Sequence, residues 1–85
     1  MYEIYIANNK TEKVLKRYMK ERRDITDKLQ RLKQSPRTEI DAHPLHGRLA
    51  GKWSCWLGSN IRMIYSIDDT KRRIIVEAVG THTVY

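Results

Sequence analysis

Cysteine is all but missing from this chain. Cys55 stands alone, so no intrachain disulfide can form. Nowhere do apolar residues run for the roughly 18 positions that a membrane-spanning helix needs. The opening residues, Met1-Tyr2-Glu3-Ile4-Tyr5-Ile6, carry neither the basic n-region nor the apolar h-region of a secretory signal. Together these absences predict a cytoplasmic protein with no membrane contact. Internal repeats, low-complexity tracts and Gly/Ser linkers are absent as well, which leaves one domain over residues 1–85. Glycine and proline are scarce, four and two, and none falls between Lys10 and Gln34, so nothing in that stretch breaks a helix.

Acidic side chains are the remaining deficit. Seventeen Lys and Arg face ten Asp and Glu, for a net charge of +7. The excess is concentrated between Lys10 and Lys33, where ten basic residues meet four acidic ones. A field of this kind gathers polyanions of any type, nucleic acid first among them. The same run also fits a merely solvated helix face. At 85 residues the chain buries only about 60–65% of the surface its unfolded form exposes, a size at which a partner adds usefully to stability.

Periodicity then divides the chain into elements. Tyr2–Ala7 alternates β-branched and aromatic residues and closes at Asn8-Asn9, so it reads as a strand. Val14, Leu15, Tyr18 and Met19, then Ile25, Leu29 and Leu32, fall at helical spacing. The charged run Glu21-Arg22-Arg23-Asp24 interrupts the stripe, so either one long helix runs through or two helices meet there as a hairpin with Asp24 as the N-cap of its second arm. The hairpin is the favoured reading, because each half has its own apolar face. Ser35-Pro36 ends the helices. Residues 37–52 show no period and predict a long ordered loop, the kind of segment that usually has a function. Three strands follow at Trp53–Leu57, Ile61–Ile67 and Arg73–Val79, joined by turns short enough for antiparallel hairpins. The fold class is therefore α+β, a β-α-α-β-β-β chain with a small antiparallel sheet covered on one face by the N-terminal helical hairpin.

Alternation within the strands separates two faces. Trp53, Cys55 and Leu57 join Ile61, Met63, Tyr65 and Ile67 as the helix-facing core. Ser54, Trp56, Arg62, Ile64 and Ser66 take the other side, which is expected to be open. Aromatic and cationic groups side by side are what single-stranded nucleic acid requires, because bases stack while phosphates pair.

Three blocks in order, Leu49-Ala50-Gly51-Lys52-Trp53-Ser54, Ile61-Arg62-Met63-Ile64-Tyr65-Ser66-Ile67-Asp68 and Val79-Gly80-Thr81-His82, with His43-Pro44-Leu45 before them and Tyr85 after, resemble the RelE/ParE superfamily of small toxins from toxin–antitoxin pairs. The resemblance covers essentially the whole chain. It implies a RelE-like fold, a cognate antitoxin as partner, and one of two activities. The RelE, YoeB and YafQ branches cleave messenger RNA on the ribosome, whereas the ParE branch is associated with inhibition of DNA gyrase.

Metal-free RNA cleavage proceeds by attack of the 2′-hydroxyl on the adjacent phosphate, which needs a base, positive charge for the phosphorane and an acid for the leaving 5′-oxygen. By resemblance, Arg62 supplies the charge, His82 the acid, with the base role open to it, and Tyr85 stacks on or orients the nucleotide. His43 and Lys52 border the same region as second-rank catalytic candidates. Trp56, Arg48, Lys13, Lys16, Arg17 and Lys20 are the expected RNA contacts. Ser54 and Trp56 stand where the RelE branch carries two lysines, so histidine chemistry like that of the YoeB and YafQ branches fits better. No metal or other cofactor is expected. The duller alternatives remain: Arg62 paired across the sheet with Glu77, His82 as a surface histidine, Tyr85 as a frayed end, and the whole chain as a gyrase-directed or non-catalytic RNA-binding module.

Overall fold

A computed structural model describes residues 1–81. The first helix starts where the sequence provides a cap: Asn8 is extended and its side chain accepts a hydrogen bond from the Thr11 N–H at 2.8 Å. The helix, α1, runs Asn9–Glu21, and α2 follows at Asp24–Gln34. The hairpin is as expected, but its second cap is not. Arg23 occupies the N-cap position without a side-chain bond, and Asp24 is already helical. The Asp24 carboxylate is instead drawn sideways, to Arg22 Nη2 at 2.6 Å and Lys28 Nζ at 3.3 Å. The Arg22 guanidinium, helped by Lys28, holds that carboxyl below its ordinary value.

The strands are β1 (Glu3–Ile6), β2 (His43–Pro44), β3 (Trp53–Gly58), β4 (Ile61–Asp68) and β5 (Arg73–Gly80), arranged β1-β5-β4-β3-β2. Between β3 and β4 the chain turns through Ser59 and Asn60, both at positive φ (46° and 67°), the backbone twist a two-residue hairpin favours. The β3-β4-β5 meander is antiparallel, as alternation and short turns predict. The outer strand β1 departs from that expectation by pairing parallel to β5, Ile4 beside Ile74 and Ile6 beside Val76. The physical reason is connectivity: only strands joined by a tight turn must run antiparallel, and β1 is separated from β5 by the whole helical hairpin and three strands. The sheet is therefore mixed and five-stranded.

Residues 37–52 are more structured than a loop. Short 3₁₀ turns at Glu39–Asp41 and Gly47–Leu49 flank β2, which pairs His43 with Ser54 and Pro44 with Trp53. Proline is tolerated there because β2 is an edge.

Both helices pack on one face of the sheet. Leu15, Ile25, Leu29 and Leu32 meet Cys55, Leu57, Ile61, Met63, Tyr65, Ile74, Val76 and Val79 in a single core, with Trp53 and Ile67 partly buried against it. Among them are Trp53, Cys55, Leu57, Ile61, Met63, Tyr65 and Ile67, the residues of β3 and β4 that strand alternation assigns inward. Burial pushes the Cys55 thiol up to about 12, so it stays protonated and serves as core.

Candidate functional site

The sheet face turned away from the helices is built in rows, because directly opposed residues in antiparallel strands project to the same side. One row holds Trp56, Arg62 and Gly80, and the next holds His43, Ser54, Ile64 and Ala78. In the first row Arg62 is half-buried and its guanidinium carbon lies 5.0 Å from the Trp56 ring centroid, a cation–π distance. This is the aromatic–cation pair that the sequence suggests. The face is less open than expected, however. Ser54 and Ile64 in the second row are buried, at 0% and 4% exposure, whereas Trp56, Arg62, Gly80 and Ala78 are partly exposed and His43 is exposed.

His43 belongs to this face through its pairing with Ser54, and its side chain is exposed. Its Nδ1–H donates to the Asp41 carbonyl oxygen at 3.0 Å. A carbonyl can only accept, so this contact calls for the proton on Nδ1, and in the neutral ring of that tautomer Nε2 is the acceptor. Just before His43, Ile40 and Asp41 both adopt left-handed backbone, φ 45° and 57°. A β-branched residue there is strained, and strain of this type collects at functional positions.

Lys52 sits apart from Arg62. β5 bulges between its pairings with Ile64 and Tyr65, which leaves Glu77 as the extra residue. The re-aimed carboxylate accepts from Lys52 Nζ at 2.7 Å and from the Ser66 hydroxyl at 3.1 Å. Ser66 is four residues along β4 from Arg62, roughly 13 Å by strand rise. The cross-strand neighbours of Arg62 are Trp56 and Gly80, and Glu77 is committed to Lys52. The Lys52–Glu77–Ser66 cluster was not legible in the sequence, since a bulge shifts register without changing composition.

Other expected contacts are dispersed. Lys13, Lys16, Arg17 and Lys20 line the exposed side of α1, on the helical layer and thus away from the Arg62 face. Arg48 is exposed in the second 3₁₀ turn. His82 and Tyr85 lie outside the described residues. Among the described residues no three His, Cys, Asp or Glu side chains gather as a metal site, and no helix is long and apolar enough to cross a membrane.

A cleft of about 390 Å³ opens beside the Arg62 row, lined by Lys28, Arg31, Glu39, Ile40, Asp41 and Trp56 among others. Trp56 therefore faces both features.

No protein-family model matches the chain, and no curated protein matches its sequence. Among solved structures it is similar to a YoeB/ParE toxin from Agrobacterium tumefaciens, with 18% identity, 94% of this chain and 98% of that one covered, and a TM-score of 0.76. It is similar to a chain of the YoeB-YefM complex from Staphylococcus aureus, with 17% identity, coverage of 96% and 98%, and a TM-score of 0.73. YafQ from E. coli strain BL21(DE3) follows, with 19% identity, coverage of 96% and 94%, and a TM-score of 0.65. At these identities the likeness is one of fold, and it extends over nearly the full length of each chain.

Proposed function

We propose that this chain, which has the fold of the RelE/ParE superfamily toxins, is the toxin of a toxin–antitoxin pair and an endoribonuclease that cleaves messenger RNA on the ribosome by 2′-hydroxyl attack. The observation that carries the reading is the pairing of rows. Arg62 and His43 share one sheet face, two strands and two residues apart, roughly 12 Å between Cα atoms by strand spacing and rise. That span accommodates a ribose-phosphate unit between the two side chains.

In this mechanism His43 Nε2 takes the proton of the 2′-hydroxyl as the O2′–P bond forms. The Arg62 guanidinium matches two phosphorane oxygens and stabilises their charge. The P–O5′ bond breaks, and His82, two residues after the Gly80 partner of Arg62, donates a proton to the leaving oxygen. Tyr85 orients the nucleotide. Base, charge and acid come from the chain itself, so the step calls for no metal. Lys52, held by Glu77, has a supporting role on this face.

The basic stripe of α1 faces away from the reacting face, which suits docking on ribosomal phosphates. The net charge of +7 also favours an acidic antitoxin, and the YoeB protein of S. aureus is seen in complex with YefM. Translating ribosomes incubated with the protein test the reading. Arg62→Ala and His43→Gln should each slow message cleavage by roughly 10²–10⁴-fold, with ribosome affinity and thermal stability nearly unchanged. A wild-type protein that leaves messages intact but blocks gyrase supercoiling would replace this reading with the ParE-like one.

A further inference from the structure

The geometry points to a base-reading subsite in the cleft between α2, the 39–41 turn and the free edge of β3, one that takes the guanine of the nucleotide flanking the bond to be cut. The inference rests on the ribonuclease reading above and adds the sequence preference that reading leaves open.

The cleft touches the proposed reacting groups on two sides. Trp56 lines it and also stacks with Arg62 at 5.0 Å. Asp41 lines it, and the Asp41 carbonyl oxygen holds the His43 ring. An RNA strand whose scissile phosphate lies between Arg62 and His43 therefore brings a neighbouring base to its mouth. The cleft exists because β2 covers only Trp53 and Ser54 of β3, leaving the edge from Cys55 to Gly58 without a strand partner there. Lys28 reaches that edge, with Nζ donating to the Leu57 carbonyl oxygen at 3.4 Å.

Its polar groups suit one base better than the others. Among the lining side chains two cations, Lys28 and Arg31, offset two carboxylates, Glu39 and Asp41, so the lining has no surplus charge to draw a phosphate. What it offers is a donor–acceptor pattern around an indole. Arg31 spends its Nε on Glu39 at 2.8 Å, which fixes the guanidinium plane while its terminal nitrogens remain available. The Asp41 carboxylate is exposed, and among the described residues it has no ion-pair or hydrogen-bond partner. Guanine alone presents two acceptors, O6 and N7, together with N1–H and N2–H donors. Arginine matches the acceptors and a carboxylate the donors, while the Trp56 ring supplies a stacking wall. The strained Ile40, at φ 45° and ψ 49°, holds the turn that presents Asp41.

The test uses the four nucleoside 5′-monophosphates and the purified protein, read by NMR shifts of the Trp56 indole and the Arg31 and Asp41 signals. In parallel, cleavage positions are mapped on translated messages. GMP should shift those three signals and bind at least about tenfold more tightly than UMP. Asp41→Asn, which tolerates the left-handed backbone and keeps the carbonyl that orients His43, should reduce the preference to about threefold or less and relax any guanine bias in the cleavage sites. Equal shifts for all four nucleotides, or shifts confined to Arg62, overturn the subsite. Cleavage with no guanine bias, identical in the wild type and Asp41→Asn, also overturns it while leaving the ribonuclease reading in place. Selective GMP shifts in the cleft of a protein that cuts no message support the subsite and overturn the ribonuclease reading.

Discussion

Tyr65 is fully buried, and its hydroxyl donates to the Pro36 carbonyl oxygen at 2.6 Å. Burial raises its pKa above the ordinary tyrosine value, with Cys55 adding to the shift and Arg37 opposing it, so the ring stays neutral and the hydroxyl remains a donor. One residue thus fills the core and ties the end of the helical hairpin to β4. Tyr65→Phe keeps the ring but strands a buried carbonyl, which should cost about 1–2 kcal/mol. Urea unfolding should show a lower midpoint at unchanged slope; an unmoved midpoint would mean that water or a shifted backbone replaces the bond. The inward position of Tyr65 follows from strand alternation, whereas its partner does not, because Pro36 lies 29 residues away. The same division applies to His43. Its residue type marks it as a second-rank catalytic candidate, but the tautomer the proposed base role needs rests on the Asp41 carbonyl. That carbonyl is placed by left-handed backbone at an isoleucine, which local sterics argue against.

At the scale of elements, the three-strand meander and the helical hairpin were legible because turn chemistry and apolar period act locally. The parallel pairing of β1, the two-residue β2 and the bulge at Glu77 were not, since each depends on which segments meet rather than on what each prefers. The starts of β1 and of the 37–52 segment are held to the β4–β5 turn by Asp69. Its carboxylate accepts from Arg37 Nη1 and Nη2 at 3.1 and 2.8 Å and from the Tyr2 hydroxyl at 2.6 Å. Arg37 first, then Tyr2, holds the Asp69 carboxyl below its ordinary value. Because the folded pKa is depressed, the clamp contributes fully above the unfolded value near 3.9 and is lost as pH falls through it toward the lower folded one. Asp69→Asn should therefore melt below the wild type at neutral pH, and the gap should close as pH drops below about 4. A gap that does not narrow at all between pH 5 and pH 2.5 would show that the carboxylate charge is not what binds the three segments.

For the whole molecule, the basic stripe and the proposed reacting groups occupy different layers. The α1 stripe sits on the helical side, and Arg62, Trp56 and His43 on the opposite sheet face. Replacing Lys13, Lys16, Arg17 and Lys20 with glutamine should weaken ribosome binding and flatten its salt dependence by about one unit of slope per lost phosphate contact, while the cleavage rate of the bound complex stays the same. A fall in that rate with unchanged affinity would place the stripe at the reacting centre, against the two-layer arrangement. The central claim is direct attack by the 2′-hydroxyl, and the chemistry of the new RNA ends tests it most directly. Messages cut on translating ribosomes by the wild-type protein should carry a 2′,3′-cyclic phosphate upstream and a 5′-hydroxyl downstream, and Arg62→Ala should yield the same ends at least roughly a hundredfold more slowly. A 3′-hydroxyl paired with a 5′-phosphate would contradict the account, because those ends require water rather than the neighbouring ribose to attack.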